Sequence, residues 1–183
     1  RVNWGQSSIR LSYGPMSIGY STENLWWGPG IRNSLVMSNN ADGFGHWTLN
    51  TLKPVRTPVG SFEGQLIAGK LRNSGYDVPD PDRTFLGWPI YLPKPDKSRY
   101  INGLQFTYQP KWVKGLFVGF TRSFTKYFED KDGSFESLFP VFYKMERKWH
   151  NDKPGAELAG DQRVSAFVRW LCLPENAEVY FEY

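Results

Sequence analysis

An all-β fold, running as an antiparallel up-and-down meander, is what the sequence predicts, and three observations carry that expectation. Apolar and polar residues alternate with period two in several separate stretches, the pattern of strands whose two faces meet different surroundings. Short turn signals such as Gly14-Pro15 and Pro174-Glu175-Asn176 join neighbouring stretches, so adjacent strands run antiparallel. No stretch reads as a strand-helix-strand unit, which removes parallel α/β architectures.

Composition narrows the class. Aromatic residues make up 17% of the 183 positions, with 8 Trp, 10 Tyr and 13 Phe, yet no run approaches the roughly 20 consecutive apolar residues a membrane helix requires. A membrane barrel places its apolar side chains at every second position and so stays polar on average. A soluble sugar-binding β-sandwich accounts for the same composition, and the residue pattern alone leaves both open. Net charge is +4, with 22 basic residues scattered among 18 acidic ones; no basic stripe points to nucleic acid. The chain begins at Arg1 and stops in an alternating run at Tyr183, so 1–183 is expected to be a single segment of something longer, with no internal domain boundary.

Taken in order, Ile9, Leu11 and Tyr13 alternate with Arg10 and Ser12, and Met16, Ile18 and Tyr20 with Ser17, Gly19 and Ser21. Leu25-Trp26-Trp27-Gly28-Pro29-Gly30 then forms a rigid corner: the glycines reach backbone angles closed to other residues and Pro29 fixes its own φ. On local chemistry the corner is a packing turn with core tryptophans. Trp47 and Leu49 oppose His46, Thr48 and Asn50; Phe62, Leu66 and Ala68 oppose Ser61, Glu63, Gln65 and Ile67. Residues 72–98 are rich in Pro and Asp and are expected to form a long loop, since neither helix nor central strand tolerates that proline density. Its Phe85, Trp88, Tyr91 and Leu92 indicate that it packs on something.

Leu104, Phe106 and Tyr108 alternate with Gln105, Thr107 and Gln109, and after a turn Leu116, Val118, Phe120 and Phe124 alternate with Gly119, Thr121, Ser123 and Thr125, which reads as a hairpin. From 128 to 160 the pattern is charged and irregular, and Ser137 to Trp149 fits a short helix or an extended arm. Val164, Ala166, Val168 and Trp170 then oppose Arg163, Ser165 and Arg169, and a last strand places Glu178, Tyr180 and Glu182 on one face. About eight strands result.

Chemical motifs are sparse. His46 and His150 stand far apart, and there is no nucleophile triad, no phosphate loop and no metal-ligand spacing, so no cofactor and no metal are expected. Cys172 lies in an apolar setting and is expected to be a buried small hydrophobe. Glu63, Glu178 and Glu182 sit on strands and would be the carboxylates of a glycosidase, which needs two acids about 5–10 Å apart; the favoured expectation is that they line a polar interior and pair with arginines such as Arg163 and Arg169. Flat aromatic faces beside Asn and Asp also suit sugar binding.

Trp26-Trp27-Gly28-Pro29-Gly30, Asn33-Ser34-Leu35 and Met37-Ser38-Asn39-Asn40-Ala41 together resemble the Wzi capsule-assembly family of outer-membrane proteins, in the form found in Bacteroidetes-type bacteria. Gly60-Ser61-Phe62-Glu63-Gly64-Gln65-Leu66 and Glu178-Val179-Tyr180-Phe181-Glu182-Tyr183 extend the likeness. The resemblance implies part of a transmembrane outer-membrane β-barrel of a Gram-negative bacterium that is not an enzyme. Its partners would be capsular or other surface polysaccharide, outer-membrane lipid and other envelope proteins. Trp26, Trp27, Asn39, Asn40, Trp88 and Tyr91 are the expected glycan-binding residues. A structural subunit of an outer-membrane complex without glycan binding is the alternative, followed by a secreted carbohydrate-active enzyme.

Overall fold

A computed structural model describes residues 5–73, 75–91, 93, 96–129, 133–143 and 160–183. One antiparallel sheet dominates. Its strands are β1 (Ser8–Tyr13), β2 (Met16–Ser21), β3 (His46–Thr51), β4 (Val55–Thr57) and β5 (Gly60–Leu71), then, after the two-residue strands β6 (Thr84–Phe85) and β7 (Trp88–Pro89) of a separate small hairpin, β8 (Arg99–Pro110), β9 (Leu116–Tyr127), β10 (Asp161–Cys172) and β11 (Ala177–Glu182). Spatial order follows chain order, β1-β2-β3-β5-β8-β9-β10-β11, with β4 paired beside the start of β5. This is the expected all-β meander. β1 and β11 are its two edges among the described residues.

All eight expected strands are present. Two additions were not foreseen: β4, too short to show a period, and the β6-β7 hairpin inside the 72–98 connection. The hairpin turns on Leu86 and Gly87, both with positive φ (51° and 81°), the backbone geometry that matches strand twist in a two-residue turn. At β1-β2, Gly14 supplies the positive φ (58°) and Pro15 follows it. Where the sequence left helix or arm open, Ser134 caps a single turn, α1 (Phe135–Leu138), by accepting from the Ser137 N–H, and a 3-10 turn follows over Pro140–Phe142; the rest of that stretch, and His150, lie outside the described residues.

The sheet is turned inside out relative to a soluble sandwich. Register places Ser17, Asn50, Gln65, Gln105, Thr121 and Ser165 in one transverse row on one face. Ile18, Leu49, Leu66, Leu104 and Val118 point the other way. Many small polar residues are buried and many large apolar ones exposed: Ser17, Thr48 and Ser165 are each 1% exposed, whereas Ile18 is 52% and Trp170 49% exposed. In water that arrangement would forfeit the main driving force of folding; facing hydrocarbon, it is the expected one. Cys172 follows the same rule. Contrary to the expectation of burial, it is half-exposed, because its place in β10 lies on the outward apolar face.

The two ends of the strands differ. Connections at one end are short: 14–15, the 52–59 stretch containing β4, 111–115 and 173–176. At the other end lie 22–45, 72–98 and 128–160. β5, β8, β9 and β10 each run 12 residues, enough to cross a bilayer core, which takes about 9–11 residues of tilted strand. At the long-loop end the outward face becomes polar and is covered: the Asn102 carboxamide oxygen accepts from the Val141 N–H at 3.2 Å, and Arg122 donates to the carbonyls of Val141 and Tyr143.

Candidate functional site

The Trp-Trp corner folds inward. Trp27 is 1% exposed and forms, with Val36 and Ile67, a small apolar core on the mostly polar face, flanked by Leu25, Met37 and Phe44. Its indole N–H donates to the Gln65 side-chain carbonyl at 2.8 Å, and the Gln65 amide donates to Thr48 Oγ1 at 3.2 Å. The ring lies on Gly103, where a Cβ would come within 2.6 Å of it. Glycine is therefore required in β8 because the indole occupies the space above the strand.

The corner is closed by its own hydrogen bonds. Trp27 bridges to Met37 through the backbone, Ser34 Oγ donates to the Trp27 carbonyl, and the Trp26 indole N–H donates to the Gly30 carbonyl at 3.0 Å. Glu182 of β11 holds the far side: its carboxylate accepts from Ser165 Oγ at 2.9 Å and from the Leu35 N–H at 3.4 Å, and it lies against Gly28, whose φ of 131° excludes a side chain. Residues 27–35 thus span the inner face from β5 and β8 across to β11. Near the β1 edge, Glu23 accepts from Arg10, Ser8 and Ser21, which anchors the start of the same segment.

The residues expected to touch glycan separate into two places. Trp27 is enclosed, and Trp26 is half-buried. Asn39 and Asn40 are exposed at the outer part of the corner segment, where Asn40 donates to Asn33 Oδ1 at 3.3 Å. Trp88 is 77% exposed on the β6-β7 hairpin and Tyr91 follows it, also exposed. No hydrogen bond or ring contact among the described residues joins the hairpin to the corner. Trp27's seat on Gln65 and Gly103 went unread in the sequence; the alternation that put Gln65 on the polar face was the one available signal.

The three carboxylates do not form a reacting pair. Glu178 is bidentate to Arg169, at 2.7 and 3.1 Å, the arginine partnership the sequence favours, and Glu182 is held by Ser165 and the corner. Four residues of strand separate these two, about 13 Å at ~3.3 Å per residue, beyond the spacing of glycosidase acids. Glu63 lies on β5, four strands from β11 in the sheet order. No group of three or more His, Cys, Asp or Glu side chains is placed to hold a metal among the described residues.

An antiparallel meander of long strands, apolar outward and polar inward, with long loops gathered at one end, defines the chain as a β-barrel-type sheet. The model of the capsule assembly protein Wzi family matches residues 1–183, so the chain belongs to that family. No curated protein and no solved structure matches it.

Proposed function

We propose that this chain is part of an outer-membrane β-barrel of a Gram-negative bacterium that holds capsular or other surface polysaccharide without catalysing a reaction on it. The observation that carries this reading is the inverted sheet: the large apolar side chains form the exposed face and hydroxyls and amides form the enclosed one. Lipid meets the first. The long-loop end faces the cell exterior, as in barrels whose turns are short on the periplasmic side. Membership of a capsule assembly family supplies the ligand class.

The glycan contacts in this reading are Trp88, Tyr91, Asn39 and Asn40, which are exposed at that end, together with the half-exposed Trp26. Aromatic rings cover the C–H faces of sugar rings and carboxamides pair with hydroxyls. Trp27 acts through position, holding the corner that displays the asparagines.

Capsule retention by cells carrying the full-length protein tests the reading. Trp88→Ala combined with Tyr91→Ala is expected to lower surface polysaccharide several-fold while the heat-modifiable barrel band is unchanged. Unaltered retention, with other envelope proteins co-purifying and no glycan bound, would instead establish a structural subunit of a larger complex.

A further inference from the structure

On the short-turn side of the corner, the inner face holds an open recess of about 180 Å³ lined by Asn50, Thr51, Glu63, Gln65, Gln105 and Thr107, with Gly64 between. Gln65, pinned between Trp27 and Thr48, is the wall nearest the corner. The size is that of about six waters at ~30 Å³ each, the scale of one sugar ring, and smaller than the roughly 300 Å³ at which drug-sized sites begin.

Its walls carry unused hydrogen-bonding capacity. Asn50 Oδ1 is buried and makes no hydrogen bond, and the same is true of Ser17 Oγ and Thr121 Oγ1, which extend the row to either side through the register Ser17, Asn50, Gln65, Gln105, Thr121. The side chains of Glu63, Gln105 and Thr107 make no hydrogen bond among the described residues. A buried polar atom such as Asn50 Oδ1 is costly unless something polar meets it. The lining offers no apolar face, so a lipid chain or a nucleobase finds nothing to bury against. What fits is a compact ligand with many hydroxyls: Asn50 Oδ1 and the Glu63 carboxylate accept from them, and Gln105 and Thr107 both donate and accept.

Glu63 is the one ionisable group in the lining. Glu63 is exposed, and its negative charge repels a second carboxylate placed beside it, whereas a neutral hydroxyl or an ammonium is not repelled. We propose that this recess is a subsite for a neutral or amino sugar residue, separate from the loop aromatics. The assignment rests on the polysaccharide reading above and adds to it a second place of contact and a selection against uronic acids.

The test uses the full-length protein in detergent micelles, titrated calorimetrically with maltohexaose, a chitosan hexamer and hexagalacturonate, with folding of every variant checked by heat modifiability. Maltohexaose or the chitosan hexamer is expected to bind at least tenfold more tightly than hexagalacturonate. Gln105→Ala is expected to weaken that binding about tenfold, and Glu63→Gln to narrow the discrimination against hexagalacturonate. A preference for hexagalacturonate overturns the assignment. So does binding untouched by both recess substitutions but lost in Trp88→Ala, a result that leaves the polysaccharide reading standing. Binding of none of the three also overturns it, and capsule retention by the Trp88 and Tyr91 variants then judges the parent reading separately.

Discussion

Trp27 shows how one side chain fixes the inner architecture. It has a single polar atom, and that atom finds Gln65; the rest of the indole lies on Gly103 and Ile67. Removing a ring so enclosed leaves both a cavity and an unpaired amide, and Trp27→Ala is expected to cost about 3–5 kcal/mol, read as a lowered unfolding temperature of the barrel in detergent. Gly103→Val attacks the same contact from below, since its branched side chain enters the space of the indole. The two substitutions are expected to be non-additive, with a coupling of roughly 0.5–3 kcal/mol as found for residues in contact, because removing the indole relieves the closest contacts of a valine at 103 and leaves only the looser one with Ile67. A double-mutant cycle by thermal unfolding measures this; strict additivity would mean that the two residues do not touch.

At the scale of elements, strand placement was legible because period-two patterning is strong wherever the two faces meet different surroundings, and the long strands here carry one largely apolar and one largely polar face. Elements of two or three residues leave no period to read, so β4 and the β6-β7 hairpin were invisible. The inward fold of the corner was hidden for a different reason. Its partners, Gln65, Gly103 and Glu182, are 38 or more residues away, and Trp-Trp-Gly-Pro-Gly describes a turn without saying which way it faces. The same limit applied to the candidate site: the sequence nominated Trp26 and Trp27 together, yet the structure encloses one and half-exposes the other. The hairpin also yields a test of its own. Gly87 takes a φ of 81°, so Gly87→Val places a β-branched residue where it is strained by about 1–3 kcal/mol. That change is expected to unfold the hairpin locally and lower polysaccharide retention while barrel assembly proceeds; normal retention would show that Trp88 needs no fixed presentation.

For the whole molecule, one choice decides everything else: which face of the sheet is outside. Phe120 and Thr107 lie on β9 and β8 and face opposite ways. Phe120→Arg puts a charge into lipid and is expected to cost about 2–4 kcal/mol near the bilayer midplane, seen as a lower yield of heat-modifiable protein in the membrane. Thr107→Lys, toward the polar interior, is expected to assemble nearly as well as the parent. Both predictions follow from the alternation and neither depends on which glycan is held.

The most direct measurement is a cysteine scan along β9, from Val118 to Ser123, in full-length protein with Cys172→Ala to remove the thiol already on the outer face. Each thiol, carrying a fluorophore, is tested in bilayers of brominated lipid and with an aqueous quencher. The structure predicts lipid quenching at 118 and 120, none at 119, 121 and 123, and none at 122, where the outward face is covered by Val141 and Tyr143. Uniform quenching from water along the strand, or lipid quenching at 119 and 121, would contradict it.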